Sequence, residues 1–280
     1  MFSEGKNIMS ENRIFIYGDS ASASEIDNIA PGWAKMLSNR LEFELLNRAV
    51  SGGSTENAFN NFTGDYLSSS FRNGDLIIFQ FSTIGRLFLN HQTEFPRTAS
   101  LYLNPPKFLD KKEHRWYFEN KEYLEWYVVN HNLRINDISQ VAYKHVLKNL
   151  AESYPNLTIV ILELDKKQID FPLGTLPNNF FMPNIELHKI FSNEIRSRLP
   201  YHEWVKYTGW DTRINHMSIP NLKKLSDAIY KIYVERTDKN DYSRYFLEDC
   251  FEQIRNRGDY KAYAQQGLLY DYEFEGFNFV

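Results

Sequence analysis

The sequence predicts an α/β protein of three layers, in which a flavodoxin-like five-stranded parallel sheet lies between helices. Three observations carry this. Short, nearly continuous apolar runs recur along the chain, as expected of strands covered on both faces. Segments with apolar residues at three- and four-residue steps lie among them, the pattern of helices packed on a sheet. Glycine turns close the first two apolar runs, at Gly18-Asp19-Ser20 and at Ser51-Gly52-Gly53-Ser54.

The first strand is read over residues 13–17 and ends at the Gly-Asp-Ser turn. A helix follows over about 31–41, with Pro31 in its first turn and Trp33, Met36, Leu37 and Leu41 on one face. The second strand covers 43–47, the third 75–81 and the fourth 157–162, just after Tyr154-Pro155-Asn156. A fifth, shorter strand is expected at 204–207, Trp204-Val205-Lys206-Tyr207. The last helix spans about 219–235, with Leu222, Leu225, Ile229 and Ile232 on one face.

Two segments exceed a minimal five-strand unit. Residues 85–118 read as a long loop with Pro96, Pro105 and Pro106, and loops of that length usually serve function. Residues 119–153 read as one or two helices carrying Leu124, Tyr127, Val128, Ile135, Ile138, Val141, Val146 and Leu150. The division expected is a tail at 1–12, a domain at 13–236 that includes the 85–153 insertion and helical region, and an acidic, aromatic segment at 237–280. That last segment is expected to pack on the domain or to join copies of the chain into a homo-oligomer.

Composition excludes several classes. Apolar residues at 42% and charged residues at 24% are ordinary for a globular chain, which argues against long disorder. A net charge of −4 without a basic block argues against nucleic acid as partner. The single Cys250 permits no internal disulfide and reads as a buried, inert thiol. The N-terminal residues lack an apolar signal core and no run of about 18 apolar residues occurs, so the expected compartment is the cytoplasm, with no membrane partner. The 18 Tyr and 21 Phe are enough to line a sugar or acyl groove, although packing accounts for most aromatic residues.

Ser20 follows a strand inside a tight turn, where a side chain points into the cleft beyond the sheet and backbone N–H groups are close. A serine hydroxyl needs a base to act as a nucleophile. The alternative at such a turn is a helix-capping Ser or Asp. The available base is His216, in Asn215-His216-Met217-Ser218 at the start of the last helix, whereas His145 sits in a helix and reads as structural or solvated.

Taken together, these residues resemble the SGNH/GDSL hydrolase family over roughly residues 13–236. Its first block is matched by Tyr17-Gly18-Asp19-Ser20, its second by Asn47-Arg48-Ala49-Val50-Ser51-Gly52-Gly53, and its last by Asn215-His216-Met217-Ser218. The resemblance implies Ser20 as nucleophile, His216 as general base, and the N–H groups of Ser20 and Gly52 as oxyanion donors. The third block departs from the family pattern Gly-x-Asn-Asp and reads Gln80-Phe81-Ser82-Thr83. Ser82 stands at the asparagine position and is the candidate third donor, with Gln80 or Thr83 as substitutes, or no third donor at all. Arg213 occupies the place of the family's acid, three residues before His216, and Asp211 is the candidate in its stead. Asp19, Gln80, Thr83, Arg86 and Asn215 are candidate substrate contacts, and residues 85–118 are expected to form a wall or lid over Ser20. No metal or cofactor is expected.

The expected activity is hydrolysis of a small acyl ester, such as an acetyl ester of a glycan, through an acyl-serine. O-acyl transfer to a sugar hydroxyl through the same residues is the close alternative. The departures in the third block and at Arg213 leave a third, a non-catalytic binding module of the same fold.

Overall fold

A computed structural model describes residues 12–19, 21–23, 25–26, 30–50, 53–68, 70–82, 86–87, 99–100, 122, 133–164, 173–187, 189–190, 217, 219–240, 242 and 245–246. The described elements, in chain order, are β1 Arg13–Tyr17, β2 Glu25–Ile26, β3 Ala30–Pro31, α1 Trp33–Leu41, β4 Glu44–Asn47, α2 Thr55–Leu67, β5 Leu76–Phe81, β6 Arg86–Leu87, β7 Ala99–Ser100, α3 Leu133–Ser153, β8 Thr158–Glu163, β9 Phe180–Phe181 and α4 Ile219–Glu235.

Five strands form one parallel sheet in the order β4-β1-β5-β8-β9. Numbered as they enter the sheet this is 2-1-3-4-5, the doubly wound arrangement in which the winding reverses between the first and third strands. Gly18-Asp19 and Ser82 lie beyond the C-terminal ends of β1 and β5, at the switch point where doubly wound sheets bind ligands.

Side chains alternate across the pleat and build two cores. Ile14, Ile16, Leu76, Ile78, Val160, Leu162 and Phe181 face α1 and α4, meeting Trp33, Leu37, Leu222, Leu225, Ile229 and Ile232. Phe15, Tyr17, Ile77, Phe79, Phe81, Ile159, Ile161 and Phe180 face α2 and α3, meeting Ala58, Phe62, Leu147, Leu150 and Ala151. Each such side chain taken from water contributes about 1.5–3 kcal/mol. The three-layer fold is therefore the one expected from the apolar runs.

Several details differ from expectation. Pro31 lies in β3, paired antiparallel with β2, and α1 begins at Trp33 behind an N-cap at Gly32. The second core needs α2, a helix with only Thr55, Ala58 and Phe62 buried and so no long apolar stripe in the sequence. Ser54 caps this helix by accepting a hydrogen bond from Asn57 N at 3.2 Å. The fifth strand of the sheet is β9; residues 204–207 lie outside the described residues. Within 85–118, β6 and β7 pair antiparallel, Arg86 opposite Ser100. On α3 the buried face is Leu147, Leu150 and Ala151, while Ile138 and Val146 are exposed. The start of the 237–280 segment packs on the domain: Met182 N donates to Asp238 Oδ2 at 2.8 Å, and Tyr242 is buried in the α1/α4 core. Cys250 lies outside the described residues. Among the described residues no helix is long and apolar enough to cross a membrane.

Candidate active site

A buried polar network lies beyond the C-terminal ends of β1 and β5. Asp19 (1% exposed) is its centre. Its Oδ1 accepts from Ala21 N at 2.9 Å and from Gln80 Nε2 at 2.6 Å, and its Oδ2 accepts from Ser82 Oγ at 2.8 Å. The Asp19 carbonyl accepts from Ser22 N and Ala23 N at 3.0 and 2.8 Å. Gln80 Oε1 accepts from Ser22 Oγ at 2.5 Å. Trp33 Nε1 donates to Ala21 O at 2.9 Å, and Asn47 Nδ2 donates to Ser22 O at 2.9 Å. The turn of residues 19–23 is thus fastened on both sides of residue 20, to β5, to α1 and to the end of β4.

Gly18 makes this network possible. A Cβ at residue 18 would lie 2.7 Å from Gln80 Oε1 and 2.8 Å from Gln80 Cβ, so only glycine lets the Gln80 side chain pass under the turn. The first of these contacts could be relieved by rotation, but the second involves an atom fixed to the β5 backbone. Gly18→Ala is expected to lower unfolding free energy by about 1–3 kcal/mol, as over-packing does. Urea denaturation measures it, and an unchanged midpoint would contradict the crowding.

The turn after β4 is joined to the same end of β1. Arg48 N donates to Ile16 O at 2.7 Å, Val50 N to Gly18 O at 3.1 Å, and Gly53 N to Val50 O at 2.8 Å. Ser82 Oγ lies 3.2 Å from Gly53 O, and Ser82 N donates to Thr55 Oγ1 at 3.0 Å. Arg48 pairs with Asp65, which also accepts from Tyr17 Oη at 2.7 Å. Burial, reinforced by the Asp65 carboxylate, pushes the Tyr17 phenol far above its ordinary pKa, so it remains a neutral donor and offers no base to the site.

Of the expected site residues, the structure brings together Asp19, Gln80 and Ser82. All three side chains are buried and turned toward one another. Asp19 and Gln80, expected to meet substrate, are in direct contact with each other. The Ser82 hydroxyl, expected to serve an oxyanion, donates to Asp19. Ser20, Gly52, Thr83, Asp211, Asn215 and His216 lie outside the described residues, as does the side chain of Arg86, whose backbone is in β6. Met217, next to His216, is buried in the α1/α4 core.

Sequence reasoning missed Ser22, Thr55 and Asn57 here. Asn57 sits in the first turn of α2, and its Oδ1 is buried without a hydrogen-bond partner among the described residues. For Thr55 and Asn57 the signal is the Ser54 cap at the start of α2. Among the described residues no group of three or more His, Cys, Asp or Glu is arranged to hold a metal ion. A cleft of about 920 Å³, bordered by Pro155, Asn179, Phe180 and Arg236, opens at the other end of the sheet, where β8 begins.

No family model and no curated protein matches the chain. Among solved structures it is similar to a lipase/acylhydrolase from Enterococcus faecalis, at 12% identity and a TM-score of 0.37, over 82% of this chain and 100% of that one.

Proposed function

We propose that the chain is an esterase-type hydrolase acting through an acyl-serine at Ser20. The observation that carries this reading is the joining of two turns at the switch point of the sheet. The chain on either side of Ser20 is fixed by Asp19, and the Gly18 carbonyl is tied to the loop that leads to Gly52 and Gly53. A nucleophile on the first turn would then have backbone donors from the second beside it, as acyl transfer requires.

In this mechanism Ser20 Oγ attacks the acyl carbonyl while His216 takes its proton. The tetrahedral oxyanion accepts from Ser20 N–H and Gly52 N–H. His216 returns the proton to the leaving alcohol, and water, activated by the same imidazole, releases the acid and frees Ser20. Asp211 orients the imidazole and stabilises its charged form. The resemblance to the SGNH/GDSL family in the blocks around Ser20, Gly52 and His216 supports these roles. A small acyl ester of a carbohydrate is the proposed substrate, and the same acyl-enzyme would serve transfer if a sugar hydroxyl displaced water.

The test is hydrolysis of p-nitrophenyl acetate by the full chain and by Ser20→Ala. Loss of Ser20 is expected to lower kcat by at least about 1000-fold, as for a nucleophile acting as a unit with its base. Equal rates in the two proteins would overturn the reading in favour of a non-catalytic module. With an acetyl donor and a glycan acceptor present, the partition of label between acceptor and free acetate separates transfer from hydrolysis.

A further inference from the structure

We propose that Asp19 is a positioning residue for this reaction. Its buried carboxylate, gripped by Gln80 and Ser82 from the end of β5, sets the turn that presents Ser20. The inference rests on the acyl-serine reading and goes beyond it, because it removes Asp19, Gln80 and Ser82 from contact with substrate and assigns them one joint task.

Among the described residues the contacts fit one arrangement, with the Asp19 carboxylate as acceptor. Gln80 must therefore turn its Nε2 to Asp19, which leaves its Oε1 for the Ser22 hydroxyl, and both contacts are present at 2.6 and 2.5 Å. Ser82 Oγ, 2.8 Å from Asp19 Oδ2, has one hydrogen to give, and the carboxylate is its strongest nearby acceptor. Asp19 Oδ1 meanwhile takes Ala21 N–H and so closes a loop across residue 20 from its own side chain. The carboxylate thus couples β5 to the residues that precede and follow Ser20. An oxyanion at this site would be left to the backbone N–H groups of Ser20 and Gly52.

Substitutions at residue 19 separate positioning from simple structural support. Asp19→Ala removes the acceptor of Ala21 N, Gln80 Nε2 and Ser82 Oγ and frees the turn. It is expected to lower kcat for p-nitrophenyl acetate by about 100-fold, the cost of a displacement near 1 Å, with KM changing little and the thermal midpoint falling, because buried donors lose their acceptor. Asp19→Asn is expected to restore kcat to within about fivefold of wild type. Its Oδ1 can still accept from Ala21 and Gln80, and its Nδ2 can donate to Ser82 Oγ, whose hydrogen then turns to Gly53 O at 3.2 Å. Ser82→Ala is expected to cost less than Asp19→Ala, and the double variant no more than Asp19→Ala alone, because Ser82 acts through Asp19.

The rate at which a fluorophosphonate labels Ser20 should follow the same order. Should Asp19→Ala fail to fold, Asp19→Asn and Ser82→Ala decide the matter: wild-type kcat in Ser82→Ala, or no recovery in Asp19→Asn, overturns the proposal. So does an Asp19→Ala protein that melts earlier but keeps its kcat, or losses at 19 and 82 that multiply, which would put Ser82 on the oxyanion itself. Hydrolysis lost in Ser20→Ala but kept in Asp19→Ala defeats this inference alone. Absence of any Ser20-dependent turnover or labelling defeats both readings.

Discussion

Asp75→Ala is expected to lower the free energy of unfolding by about 3–5 kcal/mol, the range for a buried ion pair broken from one side. Asp75 (1% exposed) stands directly before β5. Its Oδ1 accepts from Arg13 N and Arg13 Nε at 3.2 Å each, and its Oδ2 from Arg13 Nη2 at 2.6 Å and Arg72 N at 2.8 Å. Arg13 Nη2 also donates to Ser70 O. The pair ties the first residue of β1 to the turn before β5, at the end of the sheet away from Ser20. Removing the carboxylate strands a guanidinium whose side chain is only 12% exposed, together with a turn N–H. That penalty is a large part of the 5–15 kcal/mol that usually holds a domain folded. Urea denaturation by circular dichroism measures the loss, and kcat of the folded fraction should not move. The paired variant Arg13→Met/Asp75→Leu should lose less than either single substitution, because no charge is left stranded. A loss under about 1 kcal/mol for Asp75→Ala would show that water reaches the pair freely.

Physical differences between elements explain which of them could be read from the sequence. β1, β5 and β8 are covered on both faces, so their sequences are apolar at nearly every position and their bounds are plain to within a residue. α4 shows its buried stripe at three- and four-residue steps, and its span is the one expected. α2 was hidden because only Thr55, Ala58 and Phe62 are buried, among Asn residues of modest helix propensity and Gly64. β9 is too short for any periodicity, with two residues following a proline turn. The Gly-Asp-Ser turn is visible as a motif, but the side chains that fasten it are not. Gln80 lies in β5 and Ser82 directly follows it, and as a motif they read as a substrate contact and an oxyanion donor. The pleat places Gln80 in register with Leu76 and Ile78, on the α1/α4 face. A fully buried glutamine there had to find polar partners, and Asp19 and Ser22 are those partners. Pleat parity therefore held a clue to the inward role of Gln80 that the motif comparison overlooked.

The same geometry makes Gln80→Glu a pH-dependent lesion. The new carboxylate would keep the Ser22 hydroxyl on one oxygen and set the other against Asp19 Oδ1, where Gln80 Nε2 now lies at 2.6 Å. Two carboxylates that close cannot both ionise in a buried site, so one proton is shared and the pair's upper pKa rises above that of an ordinary carboxyl. The sign follows from linkage. A free carboxyl in an unfolded chain titrates near pH 4. In the folded chain the shared proton is held to higher pH, so the folded variant has its full stability below the unfolded pKa and loses it as pH rises through the raised folded value. Near pH 5 the O–H···O⁻ bond replaces the amide contact and the variant should approach wild type. At about pH 8 the doubly charged pair should cost about 3–5 kcal/mol and release the turn that carries Ser20. Gln80→Met, which removes both hydrogen bonds without adding a charge, should be destabilised by a similar amount at both pH values. Unfolding midpoints of the three proteins across that range measure the effect. Parallel curves for Gln80→Glu and wild type would mean that residue 80 does not meet the Asp19 carboxylate, and the network beneath Ser20 would have to be redrawn.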